Sequence, residues 1–204
     1  CTHSIGEVMD TMMKKSNNLY AESMFYQLAA ANGGRWNSAR QARREVNALI
    51  RKLGLSPSDY NIADGSGLSL YNYVSPQLLV AMLRYAARSE EIFTHLTTAL
   101  PIMGRDGTLK SRCRRTPAQD NVRAKTGTLE GVSSLTGYAM AANGHRLCFA
   151  IINQGVRNMA EARRFQDRFC RALTDGLSMP HIRPDEPSEP APASLSQPAG
   201  EENG

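Results

Sequence analysis

Apolar residues recur at helical spacing through roughly the first hundred positions and shift to short, dense runs after them. Ile5, Val8, Met9 and Met12 fall on one side of a helix predicted over 5–14. The polar stretch Lys14-Lys15-Ser16-Asn17-Asn18 interrupts it, and a second helix is predicted over about 19–31, stopped by Gly33-Gly34. Ser38 predicts the cap of a third helix, in which Ala42, Val46, Leu49, Ile50 and Leu53 recur at helical spacing and Gly54 lies just past the end. Ser75-Pro76 opens a fourth: a capping hydroxyl followed by proline in the first turn, where a missing N–H costs nothing. Ser89-Glu90-Glu91 starts a short fifth helix that ends before Pro101.

The period then changes. Residues 122–126 read as a short strand, and 133–141 and 146–152 are apolar runs joined by Asn143-Gly144. That dipeptide predicts a hairpin closed by a type I′ turn, which needs positive φ at both positions. A closing amphipathic helix over about 159–173 places Ala162, Phe165, Phe169 and Leu173 on one face. Helices, then an antiparallel sheet, then a helix make an α+β fold. Only about three strands are visible, so the sheet is expected to need partners from elsewhere in the chain.

Composition adds little to this picture, and charge adds more. With 41% apolar and 21% charged residues, the 204-residue chain has the makings of one folded domain. No apolar run approaches the roughly 18 residues of a membrane-spanning helix. The chain opens on Cys1 without a charged-then-apolar leader, so no signal peptide is expected within it. Six of the ten prolines lie at or beyond Pro180, among Glu, Ser and Ala, and 179–204 is predicted to be a disordered tail. From Pro180 onward, Asp185, Glu186, Glu189, Glu201 and Glu202 against Arg183 make the tail net −4, which leaves +9 on the remainder of a chain whose total is +5. A basic body can attract nucleic acid, an anionic wall polymer or a carboxylate substrate. Aromatic residues are few and the arginines are spread over several helices, so no nucleic-acid partner is expected. Cys1, Cys113, Cys148 and Cys170 have no C-x-x-C spacing and the histidines are scattered, so neither a metal nor a cofactor is expected. Cys148 and Cys170 lie in apolar stretches and read as packed thiols.

Three polar clusters could carry chemistry. Lys125-Thr126-Gly127-Thr128 sits on a predicted strand, where the lysine and two threonine hydroxyls can converge on one anion. Gly127 would let a substrate backbone approach closely, and the Thr128 N–H could donate to an oxyanion. Ser16-Asn17-Asn18 lies in the break between two helices, as a proton relay and amide contact or simply as a helix N-cap. Asp64-Gly65-Ser66-Gly67-Leu68-Ser69, followed by Tyr71-Asn72, is a tight turn that could also line a cleft. Ser66 is not in a G-x-S-x-G elbow and is not expected to be a nucleophile.

The order of these clusters is more specific than any one of them. Ser-x-Asn between helices, then Lys-Thr-Gly before an antiparallel hairpin and a last helix, resembles the penicillin-recognising serine enzymes. The Asp64–Ser69 stretch, together with Gly104-Arg105-Asp106-Gly107-Thr108-Leu109 and Ala124-Lys125-Thr126-Gly127-Thr128-Leu129, narrows the resemblance. These stretches together closely resemble the D-alanyl-D-alanine carboxypeptidase/endopeptidases, the class C low-molecular-mass penicillin-binding proteins, over about 5–175. The resemblance implies an antiparallel sheet packed between helices, with the site in a cleft between them. It also implies a nucleophile in a Ser-x-x-Lys motif upstream of Ser-x-Asn. No serine here has lysine three residues on, so 1–178 is expected to be the C-terminal part of the catalytic domain, inactive by itself.

The resemblance also implies roles. The absent serine would attack the penultimate D-Ala carbonyl of a peptidoglycan stem peptide, and β-lactams would acylate that same serine. Ser16 would shuttle a proton to the leaving amine. Asn18 would orient the absent lysine and hold the substrate amide. Lys125 would polarise Ser16 and attract the terminal carboxylate, which Thr126 and Thr128 would bind at the edge opened by Gly127. Asp64 and Ser66 are expected among the substrate-binding residues. Action on peptidoglycan implies a periplasmic or extracytoplasmic location and leaves peripheral membrane association and oligomeric state open. Two other readings stand beside this one. A class A β-lactamase would add a Glu-x-x-x-Asn loop, but Glu45 has Leu49 four residues on. A non-catalytic homologue would bind stem peptides without cutting them.

Overall fold

Serine and asparagine caps set most of the helix starts in the computed structural model, which describes residues 3–31 and 38–176. In α1 (Ile5–Lys14) Ser4 and Glu7 form a reciprocal capping box, as Ser38 and Gln41 do for α3 (Ala39–Lys52). Asn17, Ser75, Ser89 and Asn158 cap α2 (Asn18–Ala30), α4 (Pro76–Ala86), α5 (Glu90–Ala99) and α6 (Met159–Thr174). The five expected helices of the first half are present, each within a residue or two of the expected bounds. Gly33-Gly34 and the 179–204 tail lie outside the described residues.

Strands β1 (Arg123–Leu129), β2 (Val132–Met140) and β3 (Arg146–Gln154) form an antiparallel sheet in the order β1-β2-β3. Alternation along the strands divides the core in two. On one face Tyr138 packs edge-to-face on Phe93 of α5 and its hydroxyl donates to the Leu83 carbonyl of α4 at 2.7 Å. On the other, Ala124, Leu135, Ala139 and Phe149 bury against Cys170 of α6, with Met103, Leu109 and Val122 closing the cluster. Cys170 is fully buried, which pushes its thiol up to about 12, while Cys148 is only half-buried.

Two details differ from expectation. The β2–β3 hairpin forms, but not through a type I′ turn. Gly144 N–H donates to the Ala141 carbonyl, and of Asn143-Gly144 only Gly144 has positive φ. Ala141 and His145 close a three-residue loop in which a type I turn is followed by a left-handed glycine, so the extra residue takes up the twist that a two-residue loop would have needed. In α6 the buried line runs through Ala162, Gln166, Cys170 and Thr174, and Phe165 is 45% exposed. A polar residue takes the centre of the face because its amide is satisfied there: Gln166 donates to Ser133 Oγ at 3.0 Å and to Asn153 Oδ1 at 3.1 Å. Phe169 and Leu173 pack at the rim of the same cluster.

Candidate active site

The break between α1 and α2 is a built structure. Lys15 is the C-cap of α1, Ser16 follows with φ +54°, and the Asn17 N–H donates back to the Met12 carbonyl at 3.1 Å. This is a Schellman closure, whose left-handed position usually holds glycine. A residue with a Cβ there costs on the order of 1 kcal/mol. Asn17 then reverses role, and its Oδ1 accepts from the Tyr20 N–H at 3.1 Å to cap α2. The capping alternative for this cluster is therefore real but belongs to Asn17, which leaves the Ser16 hydroxyl for other work. Asn18 stands exposed on the first turn of α2.

That hydroxyl faces β1. Lys125 Nζ donates to Ser16 Oγ at 2.7 Å, across 109 residues of sequence, and to the Thr126 carbonyl at 2.8 Å. Burial holds the Lys125 ammonium below its ordinary proton affinity, because the charged form loses hydration. β1 is an outer strand, and the Ala124 N–H points away from β2 to donate to the Pro101 carbonyl at 3.0 Å. N–H directions alternate along a strand, so the Thr126 and Thr128 N–H groups point outward too. Beyond Ala124 they face the edge beside Ser16. Thr126 Oγ1 donates to Thr108 Oγ1 at 2.9 Å, and Thr128 is exposed. A Cβ on Gly127 would collide with Ser134 Oγ, the hydroxyl of its cross-strand neighbour, which would have to rotate away to admit it.

The Asp64 cluster packs on α2 just beyond Asn18. Glu22 Oε2 accepts from the Gly65 and Ser66 N–H groups at 2.8 and 3.1 Å, and Gly65 is wedged against the Ala21 carbonyl and Phe25. Asp64 accepts from the Gly67 and Ser69 N–H groups at 2.6 and 2.7 Å and from Asn72 Nδ2 at 3.0 Å. Partial burial raises the Asp64 carboxyl, but these bonds outweigh it and hold the group below its usual range. Ser66 Oγ accepts from the Leu68 N–H at 3.3 Å. Both side chains expected to meet substrate thus spend their oxygens on their own loop.

The site contains residues that were not singled out from the sequence. Thr108, in a 3₁₀ turn (Gly107–Leu109), touches Thr126. Asp106 bridges to Lys14 Nζ at 2.7 Å. Both lie in the Gly104–Leu109 stretch, whose recurrence within a family was the only signal that could have found them. Among the described residues no group of three or more His, Cys, Asp or Glu side chains could hold a metal. No described helix is long and apolar enough to cross a membrane.

A sequence profile of the D-Ala-D-Ala carboxypeptidase 3 (S13) family matches residues 3–175. The chain is 37% identical over 145 residues to the D-alanyl-D-alanine carboxypeptidase DacB of Haemophilus influenzae, covering 70% of this chain and 30% of that protein. It is 34% identical over 158 residues to a D-alanyl-D-alanine carboxypeptidase of Actinomadura sp. (strain R39), covering 74% of this chain and 28% of that protein. Among solved structures, penicillin binding protein 4 (dacB) from Haemophilus influenzae superposes with a TM-score of 0.71 at 35% identity, over 82% of this chain and 38% of that one. The chain therefore has the α+β fold of the penicillin-binding proteins and spans about a third of the length of the curated relatives it matches.

Proposed function

Because this chain belongs to the D-Ala-D-Ala carboxypeptidase 3 (S13) family, we propose that it supplies the proton-relay and carboxylate-binding half of a serine-type D-Ala-D-Ala carboxypeptidase and endopeptidase. The single observation that carries this reading is the 2.7 Å bond from Lys125 to a left-handed Ser16. The enzyme acts on peptidoglycan stem peptides outside the cytoplasm, through an acyl-enzyme on a serine that lies outside these 204 residues.

Each residue then has a defined task. The terminal carboxylate of D-Ala-D-Ala lies against the hydroxyls of Thr126 and Thr128 and the Lys125 ammonium. The attacked carbonyl points at the outward Thr128 N–H, half of an oxyanion hole; one such donor is worth roughly 2.7–4 kcal/mol of barrier. The Ser-x-x-Lys lysine takes the proton of the attacking serine, and as the C–N bond breaks Ser16 passes a proton to the leaving D-Ala amine and regains one from that lysine or from Lys125, to which it is bonded. Lys125, its proton affinity lowered by burial, is suited to that exchange. Asn18 holds the substrate amide. Asp64 and Ser66 act on substrate through the loop they fix against α2. Water then hydrolyses the ester, and a β-lactam arrests the cycle by acylating the same serine.

Covalent labelling with a fluorescent penicillin tests the reading. A complete protein that joins these residues to a Ser-x-x-Lys segment should be labelled and should release D-Ala from a stem-peptide substrate. The 204-residue chain alone should do neither. A covalent band on the isolated chain, or a complete protein that takes no label, would refute it.

A further inference from the structure

We propose that Lys14 and Asp106 are a positioning pair that fixes α1 against β1 and so holds Ser16 at hydrogen-bonding distance from Lys125. This deepens the reading of Ser16 and Lys125 given above and rests on it.

The connection can be followed bond by bond. Lys14 is the last residue of α1, two before Ser16. A lysine in a last turn ordinarily serves the carbonyls of its own helix. This one reaches elsewhere: Nζ donates to Asp106 Oδ2 at 2.7 Å and to the Leu100 carbonyl at 2.8 Å. The other Asp106 oxygen accepts from the Ile102 N–H at 2.8 Å. Leu100 and Ile102 belong to a strap registered on the outer edge of β1, where Pro101 accepts from Ala124 and Met103 donates to Val122 at 2.9 Å. Two residues past Asp106, Thr108 accepts from Thr126 on the same strand. One lysine therefore ties the helix that leads into Ser16 to both attachments of the strand that carries Lys125.

The fit around the pair is close. The Lys14 side chain is 15% exposed and that of Asp106 35%. Gly107 has φ +56°, and a Cβ on it would come within 2.9 Å of the Lys14 carbonyl, so the turn is pressed against the end of α1. A relay tolerates little slack, because a displacement of about 1 Å at a reacting group can cost on the order of a hundredfold in rate.

Side-chain NMR titration of Lys125 in a complete protein that joins these residues to a Ser-x-x-Lys segment tests the proposal without relying on activity. Lys14→Met removes a positive charge from the end of α1, and Asp106→Asn removes a negative one from the strap. If the pair acts only as charge, the two variants move the Lys125 pKa in opposite directions, up for the first and down for the second. If it positions α1, both let the cleft open, Lys125 regains water, and its pKa rises in both variants. The amide introduced by Asp106→Asn would still offer an oxygen to the Ile102 N–H, so the loop keeps its local bond. Arg112→Met, which breaks a bridge of comparable length and burial on the α6 side, should leave Lys125 where it is. In a complete enzyme that takes penicillin, the two variants should lower kcat about tenfold or more with KM little changed. Opposite shifts, no shift, or a shift equal to that of Arg112→Met would overturn the positioning role, whether or not the complete enzyme proves to be a carboxypeptidase.

Discussion

The two ends of this sheet's surroundings use the same materials to different ends. Behind the sheet, Arg112 bridges Asp167 of α6 at 2.8 Å; in front, Lys14 bridges Asp106 at 2.7 Å. Both pairs are mostly shielded from water, yet their settings differ. The α6 side is closed and satisfied: Gln166, though fully buried, has a partner for each polar atom. The α1 side stores unfavourable features in a small space: a serine in a left-handed conformation, a lysine whose charge is disfavoured by burial, and a strand edge with outward N–H groups. Left-handed residues also occur on the α6 side, at Cys113, Arg115 and Asp120, so what distinguishes the α1 side is that its left-handed residue and its desolvated charge are bonded to each other.

The largest expected effect follows from removing the lysine. In a complete, penicillin-reactive enzyme, Lys125→Ala should slow acylation by about a thousandfold, since one positioned proton-transfer group contributes roughly 10²–10⁴. Its unfolding midpoint should stay level or rise, because a partly buried, desolvated ammonium is lost. Acylation within about threefold of the parent, measured by stopped-flow with a chromogenic β-lactam, would show that Lys125 is part of the frame and not of the chemistry.

Ser16→Gly separates the two costs that coexist in the front region. Glycine adopts φ +54° without strain, so the helix junction should gain about 0.5–1 kcal/mol in urea unfolding. The same change deletes the hydroxyl bonded to Lys125 and should slow acylation by roughly a hundredfold. Stability gained while activity is lost is the signature expected of a residue kept for function. A variant that loses both would make Ser16 an ordinary structural residue and dissolve the contrast with the α6 side.

How much of this could be read in advance depended on range. Ser38, Ser75 and Ser89 cap helices through bonds within three residues, and those starts were legible. The sheet followed from runs of apolar residues with a turn dipeptide between two of them, though the turn type did not, because Asn-Gly is compatible with more than one loop length and the strand ends decide which is used. On α6, spacing alone favoured the phenylalanines over Gln166. A glutamine can take the buried centre only because Ser133 and Asn153 wait on the sheet, and nothing local to α6 announces them. The same limit applies at the site. Ser16, Asn18 and Lys125 were found through the order of motifs, and the structure brings Ser16 and Lys125 together. The bond from Lys14 to Asp106 spans 92 residues with no motif of its own, so only the folded chain reveals it.

The smallest expected effect is the severest test of the contrast. Gln166→Leu leaves the Ser133 hydroxyl, which is 2% exposed, without its donor, and also strips a partner from Asn153 and from Arg112. Stranding one buried polar group costs about 1–3 kcal/mol, so a loss near 2 kcal/mol is expected in urea unfolding. Pairing it with Ser133→Ala should recover part of that loss, because an apolar pair in place of a bonded pair strands less. Ser133 is the cross-strand neighbour of Thr128 in the register of β1 and β2. Any leakage from the closed side to the reactive edge should therefore pass through it. If the two regions are independent, the folded Gln166→Leu protein keeps the Lys125 titration and, in the complete enzyme, the penicillin acylation rate of the parent. If both move with the stability loss, α6 is holding Thr128 in place through Ser133, and the back of the sheet is part of the site.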